Sequence, residues 1–97
     1  MEKVNEEKHP FKQYEQKFKA LADQKRLEIM YELCQRGQTC VCDLTECFGM
    51  SQSKLSYHLK ILLEANLITK ETKGTWSYYD LNFRKDTSKY YIQNNIV

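Results

Sequence analysis

Three residues, Gly49-Met50-Ser51, separate two helical stripes in this chain. Before them Val41, Leu44 and Phe48 recur on one helix face; after them Leu55, Leu59 and Leu62 do the same, with Leu63 at the edge. Glycine favours a helix end and serine a new N-cap, so one helix stops at Gly49 and the next starts at Ser51. Two helices joined this tightly form a helix-turn-helix candidate. The period then changes. In "LITKETKGTWSYYDL" two β-rich runs flank Lys73-Gly74-Thr75, where Gly74 supplies a positive φ, and a hairpin is expected.

Upstream, Phe11, Tyr14, Phe18 and Leu21 repeat at helical spacing and predict a first amphipathic helix. Asp23 suits the N-cap of a second, running to about Gln35, with the stripe Leu27, Met30, Tyr31 and Cys34 and closed by Arg36-Gly37. The tail "NFRKDTSKYYIQNNIV" gives a less regular helix carrying Tyr90, Tyr91 and Ile92. The expected fold class is therefore mainly α with a β-hairpin wing: a winged helix-turn-helix of four helices, two strands and a fifth helix. Residues 1–10 form a polar arm ending at the single proline, and residues 11–97 one domain. The arm lacks the apolar core of a signal peptide, and no run approaches the ~18 apolar residues of a membrane span. A cytoplasmic protein is expected.

The net charge of +2 hides an asymmetry. Residues 1–50 carry eight Lys/Arg against nine Asp/Glu, whereas residues 51–85 carry six against three, a local balance of +3. Positive charge in the second half suits a polyanion. On the helix after Ser51, the leucine stripe takes one side, and Ser53, Ser56, Tyr57 and Lys60 project from the other, with Gln52 and Lys54 in the first turn. Amide and lysine side chains read base edges; hydroxyls and a phenol bind phosphate. An ordinary solvated face has the same composition. The tight turn before it and the basic hairpin after it, with Lys70 and Lys73 placed for phosphate contact, decide for double-stranded DNA. Trp76 in the hairpin is expected to pack, as are Tyr79 and Leu81.

One module of this size makes few phosphate contacts, so specific binding calls for a homodimer on two half-sites. Phe11, Tyr14, Phe18, Tyr90 and Tyr91 exceed what the small helices need to cover, and we read them as the dimer surface; packing within one chain is the alternative.

Four cysteines in a reducing compartment point to packing, soft-metal chemistry or redox sensing. Cys34, on the stripe with Leu27 and Tyr31, reads as a small core residue. For Cys47, beside Phe48, partial burial and function fit equally. Cys40 and Cys42 differ: residues two apart on a helix point to nearly opposite sides, and the stripe is already carried by Val41, Leu44 and Phe48. Their spacing is too tight for a disulfide framework and wrong for a C-x-x-C zinc site. From a regular helix they cannot chelate one ion; they can if Cys40 is still in the loop or the first turn unwinds. Thiolates at a helix start select soft ions and would couple their binding to the helix-turn-helix.

Taken together, "FKALADQKRLEIMYEL", "CVCDL", "SQSKLSYHLKILLEANLI" and "KGTWSYYDLN" resemble the ArsR/SmtB family of metal-responsive repressors over about Phe18 to Asn82. "CVCDL" resembles the metal-binding box on the third helix of arsenic, antimony and cadmium/lead sensors. The resemblance implies an apo dimer that holds its operator and lets go when thiolates take up the inducer. It implies Cys40 and Cys42 as ligands and Gln52 to Lys60 as the DNA-reading helix. Where one arsenic-sensing subgroup continues "CVCDLC", this chain has Thr45, and Cys47 is the candidate third ligand, beside solvent or a small thiol. The arm has no cysteine to complete a cadmium/lead site, only His9. In zinc and nickel/cobalt members the ligands lie on the last helix; here Asp80 matches one, but Asn82 stands where a histidine would, and no histidine follows His58. His58, beside the leucine stripe, reads as structural.

The sequence thus predicts a repressor with no constitutive cofactor, released by As(III) or Sb(III). The same scaffold sensing Cd(II), Pb(II), thiol oxidation or persulfide is the alternative. A small thiol oxidoreductase or metal buffer lacks support: there is no C-x-x-C, no βαβ pattern and no acid/base constellation. A winged-helix domain that binds a protein partner ranks below both.

Overall fold

The computed structural model describes residues 10–82. Along the chain run α1 (Phe11–Leu21), α2 (Gln24–Arg36), β1 (Thr39–Cys40), α3 (Val41–Phe48), α4 (Gln52–Glu64), β2 (Ile68–Lys73) and β3 (Trp76–Leu81). The winged helix-turn-helix expected from the sequence is present, with one addition. The two-residue strand β1 joins the hairpin, making an antiparallel sheet of order β1-β3-β2. The predicted fifth helix, with Tyr90 and Tyr91, lies outside the described residues, as does His9.

Local chemistry accounts for the element ends. The Asp23 carboxylate accepts from the Arg26 N–H at 3.0 Å, and the Ser51 hydroxyl from the Lys54 N–H at 3.2 Å, so each caps its helix as predicted. Gly49 ends α3 at φ 60°, ψ 32°, a left-handed conformation that lets the chain turn into α4 within three residues. Just past the α4 C-cap Ala65, Asn66 takes φ 60°, and the N–H groups of Asn66 and Leu67 return to the carbonyls of Leu63 and Leu62. In the wing, the β2–β3 hairpin, Lys73 pairs with Trp76 across Gly74-Thr75, and Gly74 takes a φ of 64°.

Ile29, Leu33, Leu44, Leu55, Leu59 and Leu62 are fully buried and form the centre of the core, joined by Ile68, Tyr79 and Leu81 of the wing base. The stripe predicted for α4 is therefore the buried one. Of that predicted for α2, only Met30 packs against the core. Leu27, Tyr31 and Cys34 are exposed, and α2 packs through Ile29 and Leu33. This helix carries apolar residues on two faces, and periodicity alone does not say which one meets the core. Cys34 is accordingly no core residue. With Phe48 of α3, Leu27 and Tyr31 line an open groove of about 400 Å³ whose rim includes Gln24, Glu28 and Glu32.

On α1 the buried residue is Ala20, whereas Phe11, Tyr14 and Phe18 are 61 %, 50 % and 72 % exposed. Trp76 is exposed too, against expectation, because it sits at the hairpin tip beyond the reach of the helices.

Candidate functional site

The thiol pair takes its geometry from a change of backbone. Cys40 ends β1 with φ −68° and ψ 144° and is at the same time the N-cap of α3; Cys42 is the second residue of that helix. Extended backbone at Cys40 removes the opposition that a regular helix imposes on residues two apart. The Sγ atoms of Cys40 and Cys42 are brought against each other across Cα atoms 5.2 Å apart. The condition for sharing one ion, Cys40 ahead of the helix, is met. The Cys42 N–H donates to Cys40 Sγ at 3.3 Å, the sulfur acting as the helix cap. Cys40 is only 5 % exposed while Cys42 is open to solvent, so the pair is approached from the Cys42 side.

Cys47 does not join them. It lies five residues beyond Cys42 on α3, which turns it by about 140° and lifts it by about 7.5 Å along the axis. Among the described residues no group of three or more His, Cys, Asp or Glu side chains gathers as a metal site, and all four cysteines are described. At the other position raised for metal, Asn82 instead ties the wing base down: its N–H donates to the Leu67 carbonyl at 3.0 Å and its amide to the Asn66 carbonyl at 2.8 Å.

Gln52, Ser53, Lys54, Ser56, Tyr57 and Lys60 are all exposed on α4, opposite its buried leucines. Lys70 and Lys73 are exposed on the wing. Lys73 is also held: its ammonium donates to Gln38 Oε1 at 3.0 Å and lies 5.3 Å from the centroid of the Tyr78 ring.

Two supports of α4 carried no legible sequence signal. Lys17 of α1 donates to the Ala65 carbonyl at 2.6 Å, satisfying the C-terminal end of α4. Arg26 donates through Nε to the Ala20 carbonyl at 2.6 Å and through its terminal nitrogen to His58 Nδ1 at 3.2 Å, bracketing α1, α2 and α4. A guanidinium only donates, so Nδ1 accepts and the imidazole proton sits on Nε2. Asp23, 3.9 Å from the same nitrogen, is the more distant neighbour. The predicted structural role of His58 fits this placement, and its ring also meets Tyr57 edge-on at 5.2 Å. The Asp23 carboxyl is held below its ordinary 3.8 chiefly by the Arg26 backbone N–H, and burial pushes the Tyr79 phenol up.

The sequence profile described as "Bacterial regulatory protein, arsR family" matches residues 23–70. An "Arsenical resistance operon repressor" of Bacillus subtilis is 89 % identical over 71 residues, 73 % of this chain and 68 % of that protein. A protein of the same description from Escherichia coli is 43 % identical over 69 % of this chain and 57 % of its own length. Among solved structures, a homodimeric winged helix-turn-helix DNA-binding domain from Mycobacterium bovis superposes with a TM-score of 0.76 at 24 % identity, over 97 % of this chain and 85 % of its own. NolR from Sinorhizobium fredii follows with 0.69 at 28 % identity, over 99 % and 96 %. Among the described residues no helix is long and apolar enough to cross a membrane. The chain belongs to the arsR family of bacterial regulatory proteins, and it is a regulator of transcription, not an enzyme.

Proposed function

We propose that this protein is a homodimeric repressor that holds operator DNA through α4 and the wing and lets go when Cys40 and Cys42 take up As(III). The observation that carries the reading is the meeting of the two sulfurs at the start of α3, the first helix of the helix-turn-helix. A thiophilic ion bonded to both thiolates constrains the N-cap of a helix that leads within three residues into the DNA-reading helix. Two thiolates, with no third ligand gathered beside them among the described residues, suit As(III) or Sb(III), whose remaining valence solvent or a small thiol can fill. Cd(II) and Pb(II), which sites of this kind hold with additional thiolates, are less well served. The descriptions of the Bacillus subtilis and Escherichia coli relatives support the arsenical assignment.

The DNA contacts fall to Gln52, Ser53, Lys54, Ser56, Tyr57, Lys60, Lys70 and Lys73, all exposed on the two elements a winged helix presents to a duplex. The exposed aromatic stripe of α1 supports the dimer, as does the homodimeric relative from Mycobacterium bovis. A second reading, a thiol-oxidation sensor, is favoured by the closeness of the two sulfurs. There the two thiols would give two electrons and two protons to a peroxide or disulfide oxidant.

Fluorescence anisotropy of the reduced protein on its promoter DNA tests both. Near-stoichiometric As(III) should release wild type, leave Cys42→Ser bound and still release Cys47→Ser. Release of Cys42→Ser by As(III) would remove the pair from the mechanism. Release by peroxide with no response to As(III) would favour the oxidation sensor.

A further inference from the structure

β3 is the central strand of the sheet, and Tyr78 sits on it with Cys40 opposite on one side and Glu71 opposite on the other. Residues in one row of a sheet share a face, and alternation along β2 adds Lys73 to the face of Glu71. The thiol of Cys40, the Tyr78 ring, Glu71 and Lys73 therefore share one face of the sheet. Gln38, two residues before Cys40, joins the last two. Its Nε2 donates to Glu71 Oε1 at 2.6 Å, and its Oε1 accepts from Lys73 Nζ at 3.0 Å. A carboxylate only accepts and an ammonium only donates, so the amide must point this way, and a side chain offering both functions is needed. The ammonium is held from a second direction by the Tyr78 ring.

From this arrangement we infer that Gln38 is a positioning residue, one that sets Lys73 of the wing and passes movement of the Cys40–Cys42 pair to it. Cys40 is at once the strand partner of Tyr78 and the N-cap of α3. An ion held between the two thiolates separates their sulfurs and resets the torsions of Cys40. The displacement then runs along the chain through Thr39 to Gln38 and across the ladder to Tyr78. Both supports of Lys73 shift together, and the wing's hold on phosphate weakens alongside any change in α4. The inference rests on the release-by-As(III) reading above and adds the wing as a responding part.

The test uses the full-length reduced protein and reads two quantities: As(III) uptake from the near-ultraviolet thiolate–arsenic absorbance, and the ratio of DNA affinities without and with As(III). Gln38→Ala should take up As(III) at wild-type stoichiometry while its affinity ratio falls by about five-fold or more, within the range of ordinary coupling energies. Lys73→Gln should lower the ratio similarly. Gln38→Glu paired with Glu71→Gln rebuilds an acceptor for Lys73 and a donor toward the new carboxylate, and should restore the ratio, which a merely structural role for residue 38 would not require. A wild-type ratio in Gln38→Ala overturns the inference and leaves the proposed function standing. A wild-type protein that As(III) does not release overturns the proposed function and the coupling with it.

Discussion

The orientation of α2 is the structural claim most exposed to a single measurement, because two adjacent residues have opposite surroundings. Leu33 is fully buried and Cys34 is exposed. Leu33→Ala removes three carbons from the core, worth roughly 2.4 kcal/mol of transfer free energy at about 0.8 kcal/mol per buried methylene. The cavity left behind brings the expected loss to about 2.5–5 kcal/mol. A domain of this size is stable by only about 5–15 kcal/mol, so the change is large. Cys34→Ala touches no buried volume and should stay within about 0.5 kcal/mol. In thermal unfolding followed by circular dichroism, at fixed protein concentration because association shifts the midpoint, Leu33→Ala should lower it by roughly 10–25 °C. Cys34→Ala should leave it nearly unchanged. A comparable drop for Cys34→Ala, with a small one for Leu33→Ala, would mean that α2 is turned by about 100° about its axis, and the packing described above would be refuted.

Two further outcomes are expected. Lys60→Ala should weaken DNA binding across sequences alike and reduce the slope of log affinity against log salt by about 0.9 for each phosphate left without its lysine; an unchanged slope places Lys60 off the duplex. Asp23 has a depressed folded-state pKa, so its contribution to stability is full above the ordinary value of 3.8 and is lost as pH falls through the folded one. Wild type should therefore lose midpoint temperature on acidification below about pH 4, and Asp23→Asn, which keeps an acceptor for the cap but has no proton to gain, should show a shallower acid limb. An acid limb as steep in the variant would assign that loss to other carboxyls, such as Glu28, itself held low by Lys25.

The four helices and the hairpin, the caps at Asp23 and Ser51 and the face of α4 were determined by local sequence: the cap at Ser51, the left-handed turn at Gly49 and the Leu55-Leu59-Leu62 stripe each act within a few residues of themselves. The same locality explains what was not legible. α2 carries two apolar faces, and only packing against α1, α4 and β3 selects Ile29 and Leu33 over Leu27, Tyr31 and Cys34. β1 is two residues long and has no periodicity to read; it exists because β3 offers it a partner, with Thr39 opposite Tyr79 and Cys40 opposite Tyr78. That pairing holds Cys40 extended, and the extended backbone is what brings its sulfur to Cys42. Sequence alone supplied the two thiols and the chemistry they select, while the ladder between β1 and β3 decided that they meet, since a strand register depends on residues almost forty positions away.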